Sequence, residues 1–263
     1  MSRRIVAVAG APNVGKTSLF NQLTGAHQTV GNWPGQTVAK YAGRFEVGGE
    51  DVEAVDLPGA YGLVAISEEE AIAATFLAEE RPDVVVTVVD AANLMGGLHL
   101  AAQIAEAGFP MVVALNMVDV AERRGIEIDE FVLAEALGAE VVPTVARRGT
   151  GIAALKQAVL RALDREPRVL AIDYGPVIER HLGGLAEIIA THPTAAAWGT
   201  PRWVALQLLA DDRGLRRRLA DVPGGHRIVE SADEARAAVT AEADAAPEMV
   251  LAERRFGWIG NLV

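Results

Sequence analysis

Cysteine is absent from the 263 residues of this chain, and acidic residues outnumber basic ones, with 35 Asp and Glu against 24 Lys and Arg. The lack of cysteine excludes disulfides, thiolate metal sites and cysteine nucleophiles, and it fits a reducing compartment. The net charge of −11 argues against a general nucleic-acid binder, because neutralising phosphates requires clustered basic residues. The one short basic run, Arg216–Arg218, is typical of a solvated helix face.

Long apolar runs are also missing, since none approaches the roughly 20 residues that a membrane-spanning helix requires. The N-terminal apolar run Ile5–Ala9 is short and leads directly into a glycine motif, so no secretory signal is expected. Hydrophobic residues nevertheless make up 51% of the chain, which is typical of a folded globular protein. We therefore expect a soluble chain that buries a sizeable core and is long enough for two domains.

The first part of the chain alternates short β-branched runs with amphipathic stretches, which predicts a doubly wound α/β domain. The predicted strands are Ile5–Ala9, Val52–Asp56, Val84–Asp90, Met111–Asn116 and Glu140–Pro143, and the predicted helices are Lys16–Thr24, Glu68–Glu80, Leu98–Ala107, Glu130–Leu137 and Ile152–Asp164. The pair Gly48-Gly49 lies between Arg44–Val47 and Val52–Asp56, which predicts a hairpin and one antiparallel edge strand. Ligands of such a sheet bind at the carboxyl ends of its strands.

The pattern changes near Arg165–Asp173, and beyond this stretch no strand is predicted. The helices expected there are Val177–Ala190, Trp203–Ala210, Leu215–Ala220, Ala232–Ala245 and Glu248–Leu262, separated by Pro- and Gly-containing breaks. The sequence thus predicts an α/β domain over residues 1–165 and a small all-helical domain over residues 166–263.

A phosphate-binding loop is predicted where the first strand ends, because Gly10-Ala11-Pro12-Asn13-Val14-Gly15-Lys16-Thr17 matches the pattern in its proper strand-to-helix context. Its glycines let backbone N–H groups turn towards phosphate oxygens, and the helix N-terminus adds partial positive charge. Lys16 is expected to reach the outer phosphates and the Thr17 hydroxyl to bind Mg²⁺. The residues assigned to this loop are Gly10, Pro12, Asn13, Val14, Gly15, Lys16, Thr17 and Ser18.

The choice of base is predicted from Asn116-Met117-Val118-Asp119, which follows the apolar strand Met111–Leu115. The Asp119 carboxylate can accept both guanine N1–H and the 2-amino group, a pair that adenine does not offer. A site built for one hydrogen-bonding edge rejects a ligand that lacks it, because a buried polar group is then left unpaired. The expected ligands are therefore GTP and GDP.

Two further segments are predicted to respond to the third phosphate. Asp56-Leu57-Pro58-Gly59 closes another apolar strand, where Asp56 can hold Mg²⁺ through water and the Gly59 N–H can contact a γ-phosphate. The polar stretch Gly31–Thr37, which includes Gly35, is predicted to be a switch in which the Thr37 hydroxyl joins Mg²⁺ in the triphosphate state. Trp33 in this stretch is either an exposed aromatic or a partner contact, and both alternatives stay open here.

These motifs, with Val30–Val38, Asp56–Tyr61, Pro143–Ile152 and the tail Arg202-Trp203-Val204-Ala205-Leu206-Gln207-Leu208-Leu209, resemble the cytosolic region of the bacterial ferrous-iron transporter FeoB. The resemblance covers essentially the whole chain. It implies a Ras-like P-loop G domain followed by a helical domain that favours GDP, both preceding a membrane permease region on the cytoplasmic side of the inner membrane. It also implies coupling of the nucleotide state to Fe²⁺ uptake.

The resemblance further implies a K⁺ ion held by Asn13 and by the backbone of Gly31 and Trp33, which would stabilise developing charge beside Lys16. Ala60 follows Gly59, so no Gln positions the water, and slow hydrolysis is expected. Guanine O6 is expected to meet the Ala146 N–H. Val145 replaces the usual Ser of that base-binding loop and is expected to permit binding and to alter nucleotide release.

Alternatives from other classes remain: a soluble GTPase acting on ribosome or tRNA, and a nucleotide-gated regulatory module with slow hydrolysis. Glu68–Glu70 could suggest iron capture, although acidic residues at a helix start also complement the helix dipole. The histidines show no metal-ligand spacing. Homo-oligomer formation is not decided by the sequence.

Overall fold

The computed structural model of the chain describes residues 4–25, 28–34, 36–64 and 67–263. Its strands form one sheet in the order β2-β3-β4-β1-β5-β6-β7. The strands are β1 Arg4–Gly10, β2 Gln28–Asn32, β3 Ala39–Val47, β4 Glu50–Asp56, β5 Val84–Asp90, β6 Met111–Asn116 and β7 Glu140–Thr144. In this order the pairings from β4 through β7 are parallel, so the carboxyl ends of these strands share one edge of the sheet.

The antiparallel edge is wider than the sequence predicts. The hairpin between β3 and β4 turns at Gly48-Gly49, where both residues have positive φ, at 60° and 82°. β2 adds a second antiparallel pairing, to β3, which the sequence analysis did not predict. The reason is that Gln28–Asn32 is polar and glycine-containing and carries no alternation, so the strand depends on its pairing with β3 rather than on a buried face.

Helices flank the sheet and then form the rest of the chain. They are α1 Lys16–Thr24, α2 Glu68–Glu80, α3 Leu94–Ala107, α4 Val118–Arg123, α5 Glu130–Leu137, α6 Ile152–Leu163, α7 Pro176–Ala190, α8 Pro193–Ala196, α9 Pro201–Leu209, α10 Arg213–Ala220, α11 Gly225–Ala243 and α12 Pro247–Gly260. The short helices α4 and α8 were not predicted, because so few residues show no readable period. No helix among the described residues has the length and apolar character needed to cross a membrane.

The alternation of side chains along each strand divides the core in two. Val6 and Val8 face α1 and α6, where Phe20 and Val159 are also fully buried. Ala7 and Ala9 point to the opposite side of the sheet and face α2, α3 and α5. Both faces of the central strands are covered by helices, which explains their continuously apolar sequences.

The second of these cores continues without a break into the helical part of the chain. There a buried ion pair joins α3 to α12, with Arg255 Nη2 3.0 Å from Glu106 Oε2. Tyr174 donates its hydroxyl to Glu106 Oε1 at 2.7 Å. Burial raises the pKa of Glu106 above its ordinary value, with Arg255 acting in the opposite direction. The predicted domain boundary at residue 165 falls between α6 and α7 and stays a prediction.

Candidate nucleotide-binding site

The predicted phosphate loop spans the gap between β1 and α1. Asn13 and Gly15 both lie in the left-handed region, with φ of 66° and 86°. A side chain at Gly15 would collide with the amide of Asn116, and a Cβ added at Gly10 would stand 2.9 Å from the carbonyl oxygen of Val88. The loop therefore needs glycine at these two positions, one for conformation and one for close approach.

At the base of the site, which we call its floor, the Asp56 carboxylate is paired with the Lys16 ammonium. Asp56, at the end of β4, accepts from Lys16 Nζ at 2.5 Å on Oδ1 and from Thr17 Oγ1 at 3.2 Å on Oδ2. Its side chain is only 3% exposed and that of Lys16 only 11%. Burial raises the pKa of the Asp56 carboxyl, and the charge of Lys16 opposes that rise. An oxygen-only donor pair of this kind, Asp56 with the Thr17 hydroxyl, fits a Mg²⁺ ion.

Asn116, at the end of β6, connects two loops that are distant in sequence. Its amide nitrogen donates to the Val14 carbonyl oxygen at 2.8 Å, and its Oδ1 accepts from the Ala146 N–H at 2.9 Å. Thr144 Oγ1 also donates to Oδ1, at 3.2 Å. Asn116 is 2% exposed. Its role here is to hold the phosphate loop and the base-binding loop together.

The bond from Ala146 to Asn116 bears directly on the predicted contact with guanine O6. The Ala146 N–H is expected to meet O6, whereas in the structure this N–H donates to Asn116 Oδ1. Contact with O6 requires the bond to be shared or exchanged. Val145 in the same loop donates its N–H to the Thr150 carbonyl at 3.1 Å, which closes the loop on itself.

Asp119 lies in the first turn of α4, after Met117, which has a positive φ of 62°. Its Oδ2 is 3.6 Å from Nη2 of both Arg123 and Arg148. The Asp119 side chain is 23% exposed, so it is open to a ligand. Arg148 was not predicted as a neighbour of Asp119, because the two residues come from different loops.

The segment after Asp56 forms one wall of an open cleft of about 1010 Å³. The Ala60 N–H donates to the Gly10 carbonyl at 3.1 Å, and a Cβ at Gly59 would stand 3.1 Å from Pro12 Cγ. The cleft is lined by Ala11, Pro12, Asn13, Gly15, Lys16, Thr17, Ser18, Gly59, Tyr61, Ser67, Glu69 and Glu70. Most residues assigned to phosphate binding are therefore brought together.

The predicted switch residues Gly31, Trp33 and Thr37 do not line this cleft, and Gly35 lies outside the described residues. Gly31 belongs to β2 and pairs with Lys40, and the Trp33 carbonyl accepts the Gln36 N–H at 3.0 Å. Their predicted contacts with K⁺ and Mg²⁺ stay predictions.

For Trp33 the sequence left two alternatives, an exposed aromatic and a partner contact, and both were wrong. Its side chain is buried, 5% exposed, and meets the Phe76 ring edge-on with centroids 5.5 Å apart. The Lys40 ammonium lies 4.8 Å from the Trp33 ring centroid. The apolar face of α2 supplies this contact, and its distance in sequence hid it from the sequence analysis.

At the start of α2, where Glu68, Glu69 and Glu70 are adjacent, Glu70 forms a capping box with Ser67. Ser67 accepts from the Glu70 N–H, and the Glu70 carboxylate accepts from the Ser67 N–H at 3.1 Å. Within residues 4–25, 28–34, 36–64 and 67–263, no group of three or more His, Cys, Asp or Glu side chains has the arrangement of a metal site.

Comparison with known proteins agrees with this geometry over both halves of the chain. The family described as ferrous iron transport protein B matches residues 4–159, and the family described as FeoB cytosolic helical domain matches residues 174–263. The chain belongs to the FeoB family.

Individual relatives extend the match to nearly every residue. The Fe(2+) transport protein A/Fe(2+) transporter FeoB fusion protein of Porphyromonas gingivalis is 37% identical over 97% of this chain. The Fe(2+) transporter FeoB of Salmonella choleraesuis is 42% identical over 81% of it. The chain spans only 31% and 28% of the length of these two relatives.

A solved structure resembles the whole chain. The cytosolic domain of the T. maritima FeoB iron transporter in its GMPPNP form is 31% identical, with a TM-score of 0.84, covering 99% of this chain and 97% of that one. The expected Ras-like G domain followed by a helical domain is confirmed, and the fold of the first part is that of a GTPase.

Proposed function

We propose that this chain binds GTP and hydrolyses it slowly, as the cytosolic nucleotide-binding part of a ferrous-iron membrane transporter. The observation that carries the proposal is the placement of Asn116. Its bond to the Val14 carbonyl holds the end of β6 against the phosphate loop, and Asp119 follows on α4 three residues later. One ligand with a guanine base and a phosphate chain can then contact Asp119 and Lys16 at once.

Binding is proposed to rearrange the floor of the site. Lys16 neutralises Asp56 at 2.5 Å in the structure, and a triphosphate offers this ammonium a more negative partner. As Lys16 turns to the phosphates, Asp56 and the Thr17 hydroxyl become available as oxygen ligands. The Mg²⁺ they would hold neutralises charge on the outer phosphates. Asn13 lines the same cleft and is the proposed contact for K⁺.

Hydrolysis is proposed to use positioning and charge stabilisation rather than a side-chain base, because Ala60 follows Gly59 and offers no group to orient water. The Lys16 ammonium and the Gly59 N–H are the chain's own donors for charge that develops on the γ-phosphate. Loss of the γ-phosphate would free Gly59 and Thr37, and through them both switch segments.

The transporter part of the proposal rests on the family and on the printed functions of the relatives. A membrane permease region is the proposed partner, and the proposed place of action is the cytoplasmic side of the bacterial inner membrane. The test uses a bacterium that lacks its own Fe²⁺ uptake. We expect the full-length protein with wild-type Asp119 to restore Fe²⁺-dependent growth, and the Asp119→Ala variant to fail to restore it.

The decisive biochemical experiment measures GTP and ATP hydrolysis by the purified chain in potassium and in sodium buffer, with Asn13→Ala beside the wild type. We expect GTP turnover without ATP turnover, and potassium stimulation that Asn13→Ala removes. Equal rates in the two salts would remove Asn13 from charge stabilisation. Binding of ATP as tight as that of GTP would contradict the assignment of Asp119.

A further inference from the structure

Leu63, four residues after Gly59, has both polar groups of its backbone held by glutamine side chains. The Leu63 N–H donates to Gln103 Oε1 at 2.5 Å. Gln207 Nε2 donates to the Leu63 carbonyl oxygen at 2.9 Å. All three residues are buried, with exposures of 1% for Leu63 and 4% for each glutamine. We call these two bonds the Leu63 clamp.

The orientation of the first glutamine is determined by its neighbours. Because Gln103 Oε1 accepts from Leu63, its NH₂ group must be the donor to His99 Nε2, 2.8 Å away. His99 then accepts at Nε2 and is neutral. Turning the Gln103 amide over would lose its bonds to both Leu63 and His99. The Gln103 side of the clamp therefore has a single hydrogen-bonded arrangement.

The two glutamines come from different parts of the fold. Gln103 is on α3 of the G domain, and Gln207 is on α9, in the helical part of the chain. α3 and the helical part are joined independently of Leu63, by the buried pair of Glu106 with Arg255 and by a bond from Thr200 Oγ1 to the Glu106 carbonyl at 3.4 Å. The clamp therefore connects both parts of the fold to the segment that follows Gly59, which contributes Gly59 and Tyr61 to the wall of the nucleotide cleft.

We propose that Gln103 and Gln207 are positioning residues that fix the backbone from Gly59 to Leu63 and thereby set the affinity of the site for triphosphate relative to diphosphate. This inference rests on the proposed function. In the structure the segment is held against the phosphate loop by the Ala60 N–H bond to Gly10. The Leu63 clamp would oppose any movement of this segment that accompanies a γ-phosphate contact from Gly59.

The test measures the dissociation constants of GDP and of a non-hydrolysable GTP analogue for the purified chain and for Gln207→Met, Gln103→Met and the double variant. Methionine keeps the length of the side chain and removes its hydrogen bonds. We expect Gln207→Met to shift the ratio of the two constants about 2- to 10-fold towards the triphosphate, as loss of one net hydrogen bond implies. The double variant should shift it by less than the product of the single effects, because both bonds restrain the backbone of one residue.

Thr200→Val is the matched control. It removes a bond between the same two parts of the fold and the cap of α9, without touching Leu63. We expect it to lower the melting temperature and leave the ratio unchanged. A Gln207→Met chain that also loses stability with an unchanged ratio would overturn the proposal and leave the glutamines with a structural role.

Two further outcomes separate this inference from the proposed function. If the wild-type chain binds neither guanine nucleotide, the proposed function fails and the inference fails with it. If Gln207→Met does not fold, Gln207→Asn replaces it, because asparagine keeps a buried amide but is one methylene too short to reach Leu63. An unchanged ratio in Gln207→Asn overturns the positioning role even where GTP binding and hydrolysis persist.

Discussion

Replacement of Arg255 by methionine tests whether the buried ion pair with Glu106 holds α12 and the helical part of the chain against the G domain. Arg255 is 8% exposed and Glu106 2%, and both guanidinium nitrogens Nε and Nη2 reach Glu106 Oε2, at 3.2 and 3.0 Å. Removal of Arg255 leaves the buried Glu106 carboxylate with the hydrogen bond from the Tyr174 hydroxyl. Such a loss costs about 3–5 kcal/mol, most of it from the uncompensated charge.

The assay is urea unfolding of the wild type, Arg255→Met and Arg255→Met/Glu106→Gln, followed by tryptophan fluorescence. The Glu106→Gln change removes the charge and keeps an oxygen that accepts from Tyr174, so the double variant should regain about half of the loss or more. Arg254→Met, on the exposed side of α12, is the control and should change the free energy of unfolding by about 0.5 kcal/mol or less.

The pH dependence of the free energy of unfolding provides a second test of the ion pair. Burial raises the pKa of Glu106 in the folded chain, and loss of Arg255 raises it further. The folded state then binds a proton more readily than the unfolded state, so Arg255→Met should gain stability relative to wild type as the pH falls towards the ordinary pKa of a glutamate. The double variant should show no such gain. A cost below about 1 kcal/mol for Arg255→Met, or a double variant no more stable than the single one, would refute the reasoning.

Three other perturbations follow from the same geometry. Asn116→Ala should lower the free energy of unfolding by about 2–3 kcal/mol, measured by urea titration, because the Val14 carbonyl and the Ala146 N–H lose their buried partner; an unchanged midpoint would contradict the bridging role. Burial and then the charge of Arg255 lower the pKa of His99 from 6.5 to about 4, so stability should rise with pH between these two values, where only the unfolded state is protonated; His99→Leu should flatten that slope in pH-dependent unfolding. Asp119→Asn should favour xanthosine over guanosine nucleotides in competition binding, because its NH₂ group faces a carbonyl better than an amino group.

Signals carried by neighbouring residues allowed much of this molecule to be predicted from the sequence. The phosphate loop around Lys16 could be recognised because its glycines, its lysine and its helix start are adjacent, and the structure confirms the strand before it and the helix after it. Several predicted helices and strands have the observed bounds to the residue, among them Val84–Asp90 and Met111–Asn116. Each of these has a continuous apolar or amphipathic pattern, so local propensity and burial agree.

Tertiary structure decided what depends on contacts between distant residues. The hydrogen bond of Asn116 with Val14 joins residues 102 positions apart in the sequence, and that of Gln207 with Leu63 joins residues 144 positions apart. No pattern along the chain predicts either bond. β2 has no apolar period and exists because β3 pairs with it, and Trp33 is buried because Phe76 lies across from it. Sequence by itself determined the chemistry available at the site, since residue types and short spacings are local. Folding determined which of those groups meet, because a hydrogen bond or a ring contact depends on distance in space.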